Sequence, residues 1–164
     1  MSNKAVISLS TGLEDAEKVT VAFLVAIGAA ETGRETLMFL SKEAVRLALT
    51  GTAAGVACDG CPPLRDLFLR YEAAGGRYYV CPLCFNAKQL DADKLIPGAE
   101  VNGTIPLWKW IGDEPATTFS YRRCFRWPAR RQATAGTNAR PCRVVVLTIL
   151  VGVPCEGTPT RSSR

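Results

Sequence analysis

Four cysteines fall into two Cys-x-x-Cys pairs, Cys58/Cys61 and Cys81/Cys84, within VACDGCPPLRDLFLRYEAAGGRYYVCPLCF (residues 56–85), with nineteen residues between the pairs. Thiolates at such spacing do one of two things. Four together hold a zinc ion tetrahedrally, and a repeated C-x2-C is the usual ligand template. A single pair instead offers a nucleophile and, one helical turn on, a second thiol that can resolve it as a disulfide.

Zinc would use Cys58, Cys61, Cys81 and Cys84 as one ligand set. A zinc ribbon places short hairpins between its pairs, whereas here a helical pattern and the strand-like RYYV intervene, and Cys84 is followed by Phe85 rather than glycine. The expectation is therefore no metal, with Cys58 and Cys61 as small, buryable residues in a loop before a helix. Cys81 and Cys84 are the candidate reactive residues. Cys81 ends RYYV and opens the next helix, where unpaired backbone N–H groups and the helix dipole favour thiolate. Two core cysteines are the plainer alternative, since free cysteine is commonly buried.

Other chemistry is excluded by what the sequence lacks. It contains no histidine, so Ser-His-Asp and Cys-His hydrolases, a histidine general base and His-containing metal sites are out. There is no G-x-x-x-x-G-K-[ST] loop and no G-x-G-x-x-G, and Thr11-Gly12 after the first strand is far weaker than either. No cofactor is expected. Lys42 and Lys88 are cations within reach of the thiol region and read as solvated helix residues; Asp91 and Asp93 read as loop caps.

The elements that must position Cys81 alternate. KAVISLS (4–10) is a strand, followed by a helix opened by Glu14, Asp15 and Glu17 and closed at Gly33. TLMFL (36–40) is a second strand, and Ser41 is placed to cap a helix over KEAVRLAL. Pro62 or Pro63 begins a helix running to about Ala74, with Leu64, Leu67, Phe68 and Tyr71 on one face and Gly75-Gly76 as its stop. RYYV (77–80) is a third strand, PLWKWI (106–111) a helix and TTFSY (117–121) a closing strand. This alternation predicts an α/β fold: an open, mostly parallel sheet with helices on both faces, and ligands at the carboxyl ends of its strands.

The chain has 164 residues, 48% of them hydrophobic and 21% charged, enough for one domain with a substantial core. Its apolar runs, 19–30 and 144–153, are too short to cross a bilayer, and the N-terminus lacks a secretory pattern. No membrane association is expected, and the cytoplasm is the expected compartment. There, cysteines are thiols or metal ligands rather than a disulfide framework.

The net charge of +5 divides unevenly. Residues 1–121 carry eleven Lys/Arg against fourteen Asp/Glu, a balance of −3, while residues 122–164 carry nine Arg against Glu156 alone, a balance of +8. The domain is expected over 1–121, and 122–164 is an Arg-rich tail expected to be disordered or irregular. VVVLTILV (144–151) could form a strand. An altered reading frame in a GC-rich gene would also produce such text. An Arg arm for nucleic acid is the rival reading; without Lys or ordered aromatic interleaving, no nucleic-acid partner is expected.

PPLRDLFLRYEAAGGRYYVCPLCFNAKQLDADKLIPGAEVNGTIPLWKWI resembles the DsrE/DsrF/TusD sulfur-relay family: a helix, a Gly-ended turn, a strand reading into a cysteine, a short helix and a Gly-containing loop. KAVISLSTGLEDAEKVTVAFLVAIGAAETGRETLMFLS resembles the family's first strand, helix and second strand, so the resemblance spans about residues 4–121. It departs at Lys88-Gln89, where many members have Arg-Gly. The resemblance implies a DsrE-like α/β fold assembled into homo- or hetero-oligomers, here a homo-oligomer, with Cys81 carrying sulfane sulfur as a persulfide. Cys84 would be a resolving or second thiol, and the partners would be sulfur donor and acceptor proteins or small thiols. The alternatives are a non-catalytic four-cysteine zinc or interaction domain and a thiol-disulfide redox protein using Cys81 and Cys84. Trp108 and Trp110 lie on a short helix too apolar to be fully solvated; they belong to the core or to a subunit interface, and the interface is the favoured reading.

Overall fold

A computed structural model describes residues 3–55 and 58–121, together with the backbone of 145–149. Six strands form one sheet: β1 (Lys4–Leu9), β2 (Glu35–Leu40), β3 (Arg77–Val80), β4 (Ala99–Val101), β5 (Ala116–Tyr121) and β6 (Val145–Ile149), in the order β4-β3-β2-β1-β5-β6. The first five are mutually parallel, and β6 adds an antiparallel edge to β5, with Val145 opposite Ser120 and Ile149 opposite Ala116. The helices are α1 (Ala16–Glu31), α2 (Leu64–Ala73), α3 (Pro82–Ala87) and α4 (Thr104–Ile111). The α/β fold expected from sequence is the fold observed.

The strand period of two decides which side chains enter the core. Ala5, Ile7 and Leu9 of β1, Met38 and Leu40 of β2, and Tyr78 and Val80 of β3 point to one face, where α1 and α2 cover them. Phe23 of α1 meets Phe68 of α2 with ring centroids 4.3 Å apart, and Phe68 stacks on Tyr78 at 5.8 Å. This aromatic block fixes β3 beneath α2. The opposite face carries Val6, Ser8, Phe39 and Thr118, which with Leu107, Trp108 and Ile111 of α4 enclose a cavity of about 180 Å³.

One local expectation is corrected, and two strands call for comment. KEAVRLAL is not an α-helix: Lys42–Ala48 is 3₁₀, and Ser41 sits at its N-cap position without a side-chain cap bond. Lys42 enters with φ 51°, Ala44, Val45, Leu47 and Ala48 are buried and Lys42 and Arg46 are exposed, so the one-sided pattern read from the sequence is present but wound as the tighter helix. β4, only three residues and nowhere fully buried, gave no apolar signal. The strand read in 144–151 forms over 145–149 and is paired rather than bare; the rest of the tail lies outside the described residues. Among those residues no helix is long and apolar enough to cross a membrane.

Candidate functional site

One rung of hydrogen bonds runs along the carboxyl ends of the parallel strands. The residue after each of β1 to β4 donates its backbone N–H to the last carbonyl of a neighbouring strand: Ser10 to Tyr121 (2.9 Å), Ser41 to Leu9 (3.0 Å), Cys81 to Leu40 (2.9 Å) and Asn102 to Val80 (3.1 Å). Cys81 is therefore held in a row with Ser10, Ser41 and Asn102 by the sheet itself. Its own carbonyl accepts from Phe85 N–H at 2.9 Å, which closes the first turn of α3. Pro82, with its fixed φ and missing N–H, occupies the first helical position, where neither property costs a hydrogen bond.

Cys81 and Cys84 are both free thiols, both half-buried, and both packed against the edge of the core. Phe85 anchors α3 inward while Leu83 is exposed. Cys84 stands three residues after Cys81 on a helix, a spacing that puts two side chains on neighbouring positions of one face. A buried sulfur would be inert and a fully exposed one unprotected; a half-buried thiol at a strand end is open to a partner's thiol while one side is shielded.

The 3₁₀ segment after β2 walls the site. Glu43 accepts hydrogen bonds from Lys88 Nζ, just beyond α3, and from Arg46 Nε at 3.3 Å. The Lys88 ammonium holds the Glu43 carboxyl below its ordinary value, and Arg46 acts in the same direction. Lys88 is thus an ion-pair partner rather than a solvated residue. The loop after β1 presses on the same segment, since a Cβ at Gly12 would lie 2.6 Å from the Glu43 carbonyl oxygen. Beside it Thr11 is fully buried, its hydroxyl without a hydrogen-bond partner among the described residues. This loop occupies the point between β1 and β5 where the strand order reverses, two strands from Cys81. The sequence alone does not place Ser10, Ser41 and Asn102 in one row with Cys81, because that row exists only once the strand order is known.

Cys58 and Cys61 depart from the expectation of loop thiols: they form a disulfide, with Cα atoms 5.2 Å apart. The Asp59-Gly60 turn brings them together, with Gly60 at φ 74° and Cys61 N–H donating to Cys58 O at 3.0 Å. Two members of the four-thiolate set are thereby joined to each other. Among the described residues no cluster of three or more His, Cys, Asp or Glu side chains is arranged to hold a metal.

The DsrE/DsrF-like family model matches residues 3–118 of the chain. Among solved structures, the YchN protein from E. coli is similar at a TM-score of 0.58 and 22% identity, over 73% of this chain and all of that one. A protein of unknown function from Methanobacterium thermoautotrophicum, MTH1491, is similar at a TM-score of 0.47 and 12% identity, over 63% of this chain and 86% of that one. No curated protein matches the sequence.

Proposed function

Because the chain belongs to the DsrE/DsrF-like family, we propose that it is a sulfur carrier in which Cys81 holds sulfane sulfur as a persulfide. The observation that carries this reading is the placement of a free, half-buried thiol in the row of residues ending the parallel strands. In the loading step the Cys81 thiolate attacks the outer sulfur of a donor persulfide, forming the Cys81 S–S bond and releasing the donor as its thiolate. In the unloading step an acceptor thiolate attacks the outer sulfur of the Cys81 persulfide, and Cys81 leaves as thiolate. No electrons are gained or lost overall. Cys84 is the second thiol: attack on the inner sulfur of the Cys81 persulfide would form a Cys81–Cys84 disulfide and expel hydrosulfide.

The setting proposed is the cytoplasm, with donor and acceptor being proteins or small thiols. A second copy of this chain is the partner proposed for α4. Every residue of that helix is at least partly exposed although its sequence is TIPLWKWI, and Ile105 and Trp108 are 70% and 56% exposed. That apolar surface borders the cavity on the second face of the sheet.

The test is the intact mass of protein purified without reductant, before and after incubation with thiosulfate or a small-molecule persulfide, which supply sulfane sulfur and leave as sulfite or thiolate, with zinc content measured in parallel. The expected product is an adduct of one sulfur atom, abolished by Cys81→Ser and retained by Cys58→Ser. One zinc per chain without an adduct would replace this reading with the structural zinc one. Neither metal nor adduct, with Cys81 and Cys84 both needed for reversible oxidation, would make the protein a dithiol redox protein.

A further inference from the structure

The Cys58–Cys61 disulfide has the surroundings of an exchange site rather than of a staple. It closes a ring of four residues whose turn is already formed by the Cys61 N–H to Cys58 O bond and by Gly60 in the left-handed region. A cross-link stabilises mainly by restricting a long unfolded loop, so one this short adds little to the fold. The same pre-formed turn keeps the sulfurs adjacent after reduction, which makes closure fast and reversible. Both cysteines are half-buried, and Asp59, Gly60, Pro62 and Pro63 around them are exposed. A thiol arriving from solvent can therefore reach the pair.

The two sulfurs are not equivalent. The Thr20 hydroxyl, 97% buried in the second turn of α1, lies 3.6 Å from Cys58 Sγ. A hydroxyl at that sulfur can donate to it when it carries negative charge, and a better-stabilised thiolate leaves faster.

We propose that Cys58–Cys61 is a second thiol-exchange centre, distinct from Cys81, whose substrate is a dithiol, with Cys61 the sulfur attacked and Cys58 the leaving thiolate. The first thiolate of the dithiol bonds to Cys61 Sγ, the Cys58–Cys61 bond breaks, and its electron pair goes to Cys58 Sγ, which takes a proton. The second thiolate of the dithiol then attacks its own sulfur in the mixed disulfide and expels Cys61, which is protonated in turn. Two electrons and two protons pass from the dithiol, now a disulfide, to the pair, now two thiols. In a reducing compartment an accessible disulfide of this kind cycles rather than persists. The proposal goes beyond the sulfur-carrier reading and holds whether or not Cys81 accepts sulfur.

The test equilibrates the full-length native protein with graded ratios of reduced to oxidised dithiothreitol, quenches with iodoacetamide and maps the alkylated cysteines. The expected result is reversible, two-electron alkylation of Cys58 and Cys61 together, with an unchanged circular-dichroism spectrum. A bond that opens only on denaturation, or a pair that never closes under oxidised dithiothreitol, overturns the proposal. Direction is read with glutathione: the mixed disulfide should map to Cys61, and mapping to Cys58 overturns the assignment of roles. Thr20→Val should slow reduction by dithiothreitol about fivefold, the factor that one modest hydrogen bond represents; an unchanged rate removes Thr20 from the mechanism.

Discussion

Glu43 and Lys88 join the two segments that enclose Cys81: the carboxylate belongs to the 3₁₀ turn after β2 and the ammonium to the end of α3. The six-residue α3 carries Cys81 and Cys84 at or near its start, so whatever fixes its far end also fixes their aim. Arg46 supports Glu43 from the other side at 3.3 Å. Lys88, just past the end of α3, also sits where a cation complements the helix dipole.

Lys88, and after it Arg46, lowers the Glu43 pKa below the ordinary 4.5. A carboxylate whose folded-state value is depressed contributes its full stabilisation above the unfolded-state value and loses it as the pH falls through the folded-state value. Wild-type protein should therefore lose stability below about pH 4.5 more steeply than Glu43→Gln. The variant should be slightly less stable at neutral pH, the effect kept small because Glu43 is 45% exposed. Urea denaturation across pH 3 to 7 measures this. Parallel curves for the two proteins would show that the ion pair contributes nothing.

Two buried tyrosines should respond oppositely to loss of the hydroxyl. Tyr71 Oη lies 3.1 Å from the Thr36 carbonyl and 3.2 Å from that of Arg77, fastening α2 to β2 and β3. Tyr71→Phe should cost about 1–3 kcal/mol, because buried carbonyls lose their donor. Tyr78 Oη is buried without a partner among the described residues, so Tyr78→Phe should be neutral or stabilising by up to about 1 kcal/mol. Equal destabilisation of both variants in thermal denaturation would contradict the assignment.

The same burial sets an alkaline limit. Desolvation raises the pKa of both Tyr71 and Tyr78 above the ordinary 10.0. A group raised in the folded state stabilises fully below its unfolded-state value, and that contribution declines as the pH climbs past it. Stability should fall above pH 10, with phenolate absorbance from these two rings developing only as the protein unfolds. Immediate, complete ionisation of every tyrosine on a jump to high pH would refute it.

How far the sequence reveals the site depends on the range of the interaction involved. KAVISLS, TLMFL and RYYV are legible as strands because burial makes them apolar, and Cys81 at a strand-to-helix junction is legible because Pro82 follows it. The row of Ser10, Ser41, Cys81 and Asn102 is not, since it arises from the order β4-β3-β2-β1-β5 and from no local pattern. KEAVRLAL misleads because a one-sided apolar pattern over so short a segment suits a 3₁₀-helix as well as an α-helix. The Cys58–Cys61 bond was hidden for another reason: C-x2-C is shared by zinc ligands, free thiols and short disulfides, and only the turn at Gly60 separates them.

Trp108 provides a test of self-association. At 56% exposed on an apolar helix it should contribute more between subunits than within one. Trp108→Lys should shift the protein toward monomer in sedimentation, with the monomer still folded by circular dichroism though somewhat destabilised, because Trp108 also walls the cavity on the second face of the sheet. A wild-type protein that is monomeric at high concentration would leave α4 without its proposed partner.

Three helices end in the same hydrogen-bonded motif, but only two have the residue that motif favours. After α1, Gly33 N–H donates to Ala30 O and Arg34 N–H to Ala29 O; after α2, Gly75 donates to Glu72 O and Gly76 to Tyr71 O. After α3, Gln89 N–H donates to Asn86 O and Leu90 N–H to Phe85 O, the same pair of bonds. Gly33 and Gly75 hold φ of 81° and 78°, and Gln89 holds 52°, a region in which a Cβ costs about 1–2 kcal/mol. Gln89→Gly should therefore stabilise the protein by about 1 kcal/mol, less than the full strain because glycine also gains freedom in the unfolded chain. Gln89→Ala, which keeps the Cβ, should not reproduce the gain. If Gln89→Gly destabilises instead, the Gln89 side chain makes a compensating interaction, and α3 is held in place by more than its cap and the Lys88–Glu43 pair.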